Sequence, residues 1–223
     1  MRTKILAVVV GMTLAQAVSA APISLSATLV GDPRVANPDN LIVNVSVVGD
    51  TTSNAVNWTV DINSPAHPNA KLDVFAFNMV GGFGGYAFSN FGPTGWSITN
   101  GTNVPGSGGA DFLFESNDPP GSTNNVTNAV NLTFTMTKLA GNFTDADFLN
   151  APVDYLAGNP AWAGQMGAHL QSLTIGNCTS CTSDSGFAIG SWDRPAPPNE
   201  VPEPASLALF GLGLTVLALR KRK

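Results

Sequence analysis

The 223-residue sequence has few of the residues that carry enzyme chemistry or charge-driven binding. It contains two histidines and two cysteines, and only 11% of its residues are charged. Two cysteines are too few for a disulfide scaffold or a four-cysteine zinc site. The formal net charge of −5 disfavours a nucleic-acid partner. The absence of a G-X-Y period and of heptads disfavours the collagen and coiled-coil classes, and a hydrophobic content of 43% disfavours a disordered chain.

The few cations are concentrated at the two ends of the chain. Arg2 and Lys4 lie at the N-terminus, and four consecutive cations end the sequence. Residues 21–204 keep four cations against all fifteen acids, a net charge of −11. The pattern indicates an acidic body with a basic, apolar segment at each end, which says more about destination than about activity.

The N-terminal segment has the layout of a secretory signal peptide. Arg2 and Lys4 precede an apolar run over residues 5–15, and a small-residue sequence ending in Ala20 follows. This predicts a signal peptide over residues 1–20, cleaved between Ala20 and Ala21. The alternatives, an uncleaved anchor or a buried helix, are disfavoured because the apolar run is too short to span a bilayer comfortably.

The C-terminal segment is a second apolar run, over residues 205–219, followed by a basic stop. A helix of that length is about 22 Å long, somewhat less than the roughly 30 Å of a hydrocarbon core. We expect a short membrane-spanning helix. Its cations should stay on the cytoplasmic side, which leaves the acidic body outside. A core helix would have to tolerate four cations beside its apolar face. The cations are Arg220, Lys221, Arg222 and Lys223.

A short motif precedes this helix: Val201, Pro202, Glu203 and Pro204. The motif, the apolar span and the basic end together resemble the PEP-CTERM sorting signal of Gram-negative, exopolysaccharide-producing bacteria. The same tail is also called an ice-binding-protein C-terminal domain, a name that carries no evidence of ice binding. The resemblance implies that an exosortase, an integral membrane protein, processes the chain near the motif after a transient stay in the inner membrane. It implies release to the cell surface or extracellular matrix, covers residues 201–223 and is silent on the body.

The body alternates apolar and small polar residues with a period of two. Residues 23–29, 41–47 and 130–137 show this most clearly, with Val130 on the apolar side of the last segment. Such alternation predicts half-buried antiparallel strands. We therefore expect an all-β domain over residues 21–193, an antiparallel two-sheet β-sandwich, followed by a Pro-rich linker at 194–200. Weaker strand candidates are 55–62, 72–79, 96–99, 111–115, 169–175 and 186–192, and Thr144–Leu149 is predicted to form a short helical turn.

The candidates for catalysis each have a structural explanation. His67 and His169 are the only histidines, neither accompanies a Gly-x-Ser-x-Gly motif, and they do not form a pair at metal-ligand spacing. Cys178 and Cys181 form a C-x-x-C outside a βαβ context. Because export delivers the chain to an oxidising compartment, a disulfide is favoured over redox activity. We therefore predict no enzyme activity and no cofactor.

Acidic clusters are candidates for Ca²⁺ ligands, although none follows an EF-hand or nonapeptide pattern. The carboxylate spacing alone does not single out a pair for glycoside hydrolysis. The clusters are Asp32 with Asp39, Asp145 with Asp147, and Asp111 with Glu115 and Asp118.

Aromatic residues in a Gly-rich stretch, residues 81–96, are the remaining candidate site. Exposed rings on a rigid sandwich stack well against sugar faces, so a glycan-binding or adhesion module is the alternative function. The structural explanation is that the same rings cover one end of the core. The candidates are Phe83, Tyr86, Phe91 and Trp96.

Overall fold

A computed structural model describes residues 20–31, 40–101, 104–105, 107–119, 125–174 and 184–194. The predicted signal peptide before Ala20, the cysteines Cys178 and Cys181, the linker beyond Arg194, and the tail with its motif and helix lie outside these residues, as do Asp32 and Asp39. Ala20 and Ala21, the predicted cleavage boundary, are exposed and directly precede the first strand. Within the described residues, no helix is long and apolar enough to span a bilayer.

The described part of the chain is built from twelve strands and one short α-helix. The strands are β1 (Pro22–Gly31), β2 (Ile42–Asp50), β3 (Ala55–Ile62), β4 (Lys71–Phe77), β5 (Tyr86–Gly92), β6 (Ser97–Asn100), β7 (Phe114–Asn117), β8 (Leu132–Lys138), β9 (Asp154–Tyr155), β10 (Ala163–Gly164), β11 (Met166–Gln171) and β12 (Gly186–Gly190). The helix is α1 (Asp145–Leu149), and short 3₁₀ turns occur at Phe83–Gly85, Leu156–Gly158 and Pro160–Trp162. The all-β class is confirmed.

Ten strands form one antiparallel sheet in the order β5-β8-β3-β2-β1-β12-β11-β4-β7-β6, and β9 pairs with β10. The junction between the two halves of this sheet is short, because β1 and β12 pair only at Val30 with Ile189 and at Gly31 with Ala188. Hydrogen bonding is nevertheless continuous from β5 to β6. The expected sandwich of two separate sheets is therefore not confirmed, and the structure shows one curled sheet instead.

Aromatic rings show that the two halves of the sheet face each other. Trp58 of β3 packs against Phe77 of β4 with 4.6 Å between ring centroids, although these strands lie five positions apart in the sheet. Phe88 of β5 packs against Phe114 of β7 at 5.8 Å. The sheet is therefore curled until it is nearly barrel-like, with the main core inside it.

The alternating strands bury the residues that the sequence pattern selected. In β1 the odd positions from Ile23 to Leu29 are buried and the even positions are exposed. β8 alternates in the same way from Leu132 to Met136, with its even positions buried. Val130 was wrongly placed on the apolar face: it lies before β8, in an isolated bridge with Thr127, and is 44% exposed.

A second, smaller core lies on the outer surface of the other half of the sheet. A β-bulge makes this possible, because β4 has an extra residue, Asp73, opposite the step from His169 to Leu170. After the bulge β4 is buried on both faces. The outer core consists of Val74, Ala76, Val104, Ala110, Phe112, Leu156, Phe187 and Ile189, with Trp162 packed against it. The outer face of β1, β2, β3 and β8 has no such cover among the described residues.

Candidate functional site

The open outer surface of β1, β2, β3 and β8, called here the polar face, carries rows of small and mostly uncharged polar side chains. Strand pairing places Ser26 opposite Ser46, Ser46 opposite Thr59, and Thr59 opposite Thr133. Neighbouring strands lie about 4.8 Å apart, so this row extends about 14 Å across the sheet. The row results from the period-two pattern, because burial of the odd positions of β1 and β2 directs the even positions outward.

A second row runs beside the first and introduces a carboxylate. Thr28 lies opposite Asn44, and Asn44 lies opposite Asp61. The Thr28 hydroxyl donates to Asn44 Oδ1 at 3.4 Å, so part of the hydrogen-bonding capacity is used within the face. Asp61 has no hydrogen-bond or ion-pair partner among the described residues, and its side chain is partly exposed.

A groove of about 320 Å³ follows these two rows and is called here the polar groove. One wall is formed where the chain continues past β12 beside β1: the Asp193 backbone N–H donates to the Ser26 carbonyl at 2.8 Å, and the Ser26 hydroxyl donates to Asp193 Oδ2 at 3.0 Å. Of the described residues that line it, only Asp61 and Asp193 are charged, and none is aromatic. The lining is Ser26, Ala27, Thr28, Asn44, Val45, Ser46, Thr59, Asp61, Asn131 and Asp193.

The aromatic candidates lie elsewhere: Phe83, Tyr86 and Phe91 lie on β5 or just before it, and Trp96 directly precedes β6. Tyr86 and Trp96 are buried, 7% and 3% exposed, so neither ring presents a free face. Phe83 stacks on Phe88, and Phe91 stacks on Phe134. Both Phe83 and Phe91 are half-buried against the main core, so the stretch covers the end of the core as the structural explanation expects. Glycan binding by these rings stays a prediction, and of the four rings only Phe83 and Phe91 are partly exposed.

A second groove, of about 500 Å³, lies beside Tyr86 and is mainly apolar. Its lining includes Val80, several glycines of residues 81–85, and Leu139, which is 63% exposed. The Tyr86 hydroxyl donates to the Val80 carbonyl. Burial, together with the negative charge of Asp147, raises the pKa of Tyr86 to about 12, so the phenol is neutral at physiological pH.

His67 and His169 have different surroundings. His67 is 1% exposed, and its Nδ1 accepts the Thr174 backbone N–H at 3.1 Å, which ties two loops together. His169 Nδ1 lies 2.8 Å from Asp73 Oδ2 across the bulge. This pair has the geometry of the histidine and acid of a catalytic triad. Among the described residues, no serine, threonine or cysteine hydrogen-bonds to the other ring nitrogen.

The acidic candidates for calcium that lie within the described residues do not assemble into a cluster. Within the described ranges, no group of three or more acidic, histidine or cysteine side chains is placed to hold a metal ion. Asp147 is engaged by Lys138, with 2.7 Å between Oδ1 and Nζ. Burial raises the pKa of Asp118, the charge of Asp73 raises it further, and Lys71 partly offsets both effects. The expectation of a Ca²⁺ site therefore gains no support from these residues.

The sequence did not identify the polar groove as a site. Its residues come from β1, β2 and β3, from Asn131 just before β8 and from the segment after β12, and their proximity depends on strand register. The available signal was the run of Ser, Thr and Asn at alternate positions, which is also typical of an ordinary solvated β surface.

Comparison with known proteins concerns the tail. Residues 200–223 match the PEP-CTERM protein-sorting motif. The chain thus combines an all-β domain with a C-terminal sorting signal of the exosortase type. The motif implies export and a membrane-anchored precursor that an exosortase, a membrane protein, processes. No curated protein and no solved structure gives a significant match to the chain.

Proposed function

We propose that this chain is an exported, non-enzymatic protein of the cell surface or extracellular matrix that associates with exopolysaccharide. The observation that carries the proposal is the sorting motif at residues 200–223. The signal peptide over residues 1–20 directs export. The helix over residues 205–219 holds the precursor in the inner membrane until it is processed near Pro202–Pro204, and the β domain functions outside as a sandwich-type module.

The proposed absence of enzyme activity is supported by what engages the candidate groups. His67 is buried and bonded to backbone, and the Asp73–His169 pair lies beside the outer core, in a bulge that lets β4 bury both faces. Asp147 is occupied by Lys138 and by the first turn of α1. Each of these groups therefore has a structural role in the fold.

The proposed association with exopolysaccharide is supported by the chemistry of the surface. The polar face presents hydroxyl and amide groups, which hydrogen-bond with polyhydroxylated polymers as readily as with water. With few charges it does not depend on low ionic strength for contact with a matrix. A protein released into a polysaccharide matrix needs such a surface to stay soluble within it.

The sorting part of the proposal is tested in the host by replacing two prolines at a time. We expect Pro202→Ala with Pro204→Ala to leave an unprocessed precursor in the membrane fraction. The matched control, Pro197→Ala with Pro198→Ala in the linker, should be processed and released. Equal processing of the two variants, or full-length wild-type protein in the cytosol, would contradict sorting through this motif.

The association is tested separately, in a strain that makes no exopolysaccharide. We expect the processed wild-type protein to move from the matrix fraction to the culture medium. If the protein sediments equally in both strains, the sorting proposal stands and the association with exopolysaccharide fails.

A further inference from the structure

We infer that the polar groove is a binding site for a neutral, polyhydroxylated glycan chain, an inference that rests on the proposed association with exopolysaccharide. It assigns the contact to residues that no motif marks and moves it from the aromatic stretch to the outer face of β1, β2 and β3. The argument depends on the lining, the dimensions and the charge of the groove.

The lining supplies the hydrogen-bonding groups that sugars use. Ser46 and Thr59 present hydroxyls that donate and accept, and Asn44 and Asn131 present amides that do both. The Ser26 hydroxyl donates to Asp193 and can accept from a ligand. The Asp61 carboxylate can accept from two neighbouring sugar hydroxyls, and such charge-assisted bonds are stronger than neutral ones. Since Asp61 has no partner among the described residues, its oxygens are available to a ligand.

The groove has the shape for an extended chain rather than for a small compact molecule. The first row extends about 14 Å across four strands, and three of its members, Ser26, Ser46 and Thr59, line the groove. Asp193, on the segment that follows β12, forms one wall. A linear polymer can therefore lie along the rows and contact several strands at once.

Charge and polarity exclude the other ligand classes. Asp61 and Asp193, on a body with fifteen acids and few cations, repel phosphorylated, sulfated or uronic-acid-rich ligands. The absence of an aromatic or large apolar side chain among the lining residues removes the anchor that a peptide or lipid ligand would need. A neutral glycan requires neither a cation nor an apolar pocket.

A hydrogen bond between an exposed side chain and a sugar contributes little to the affinity. Measurable binding therefore needs several such contacts along one polymer chain. The test therefore uses affinity gel electrophoresis, which detects weak binding to immobilised polymers. The exported form of the full chain, purified from its host, is run in gels that contain hydroxyethylcellulose, dextran, alginate or the exopolysaccharide of the host. Thermal melts of each variant check that it is folded.

Two groove variants are compared with two matched controls. Asp61→Asn removes the charge and keeps the shape, and Ser46→Tyr fills the centre of the groove. Asp184→Asn alters an exposed acid elsewhere, and Ser89→Tyr places the same ring on the same side of the sheet but on β5. We expect Asp61→Asn to raise the apparent Kd about tenfold, Ser46→Tyr to abolish retardation, and both controls to stay within about twofold of the wild type.

The outcomes separate this inference from the proposed function. Retardation of the wild type by a neutral polymer and by the host exopolysaccharide, lost in the groove variants, supports both. If folded Ser46→Tyr is retarded as strongly as the wild type, or if only alginate retards the wild type, the groove assignment is overturned while the association stands. Unretarded migration of the wild type in every gel overturns both.

Discussion

Asp147 connects Lys138 of β8 to the first turn of helix α1. Its Oδ1 lies 2.7 Å from Lys138 Nζ, and its Oδ2 accepts the backbone N–H of Thr144 at 2.8 Å and the Thr144 hydroxyl at 3.1 Å. One nearly buried carboxylate thus neutralises a partly buried ammonium and satisfies an orphan donor at the helix start. Asp145, two residues earlier on the same turn, has one carboxylate oxygen buried without a hydrogen-bond partner among the described residues.

We expect Asp147→Ala to lower the free energy of unfolding by about 2 kcal/mol, because it removes a capping acceptor and an ion pair together. The matched control is Asp145→Ala, on the same turn, which removes an unpartnered oxygen and should change stability by less than about 0.5 kcal/mol. Urea unfolding of the two variants measures the difference. Equal losses would show that the interactions of Asp147 do not stabilise the helix.

The raised pKa of the Tyr86 phenol predicts that the stability of the protein depends on pH under alkaline conditions. The pKa of its phenol is raised to about 12 in the folded protein, above an ordinary value of 10.0. The folded state therefore holds the proton more tightly, and its stability falls as the pH rises from about 10 to about 12. Tyr86→Phe loses the hydrogen bond to Val80 but has no phenol to ionise. We expect the stability gap between the wild type and this variant to narrow over that range, and a constant or widening gap would contradict the assignment.

Asp118 differs from Asp147 in that its negative charge is expected to destabilise the folded protein. Its pKa is raised by burial and by Asp73, and its Oδ1 has no hydrogen-bond partner among the described residues. The folded state thus favours the protonated form, and stability falls as the pH rises through its pKa. We expect Asp118→Asn to raise the melting temperature at pH 7 and to give no gain near pH 3. Exposed Asp184→Asn serves as the control, and a lower melting temperature of Asp118→Asn at pH 7 would refute the interpretation.

The strands that sequence predicted well are those with strict alternation and β-branched or apolar inward residues. The candidate over residues 55–62 coincides with β3, and the helical turn predicted at Thr144–Leu149 is confirmed as α1 with Thr144 at its N-cap. Both depend on local chemistry, which a single sequence shows. The candidate at 111–115 was misplaced, since β7 begins only at Phe114 and Phe112 belongs to the outer core.

The parts that sequence did not predict depend on contacts between distant residues. β5 is not among the strands predicted from the sequence, because glycines surround it and because its pairing is interrupted by a bulge between Ser89 and Gly92. The burial of Tyr86 and Trp96 could not be read from residue type, since an aromatic ring suits both a core and a ligand surface. Prediction of the polar groove would have required the register of β1, β2 and β3, the position of Asn131 before β8 and the path of the chain after β12.

Trp58 lies at the centre of the main core, so substitutions at this position test how the core is packed. It is 1% exposed, contacts five aromatic rings, and its Nε1 is buried without a hydrogen-bond partner in the described part of the chain. We expect Trp58→Ala to cost about 3–5 kcal/mol through the cavity it leaves. Trp58→Phe keeps most of the ring area and removes the unpaired donor, so its loss should be less than half as large. Similar losses for the two variants in chemical denaturation would contradict this account of the packing around Trp58.

Gly190 marks the place where β12 passes closest to β1. A Cβ at this position would lie 2.8 Å from the Thr28 carbonyl oxygen. We expect Gly190→Ala to push the two strands apart and to lower the free energy of unfolding by about 1–3 kcal/mol. Gly84→Ala is the control, because a Cβ there meets no atom within 4 Å. A neutral Gly190→Ala would contradict tight packing at this junction.

The central claim is that this protein is exported and sorted through its tail, and intact-mass spectrometry of the protein in the extracellular matrix tests it most directly. We predict a chain that begins at Ala21 and ends near Pro202–Pro204, without the apolar helix and the terminal cations. In a strain that lacks the exosortase, the tail should remain and the protein should stay with the membrane. A matrix protein whose mass includes Lys223, or processing that is unchanged without the exosortase, would contradict the claim.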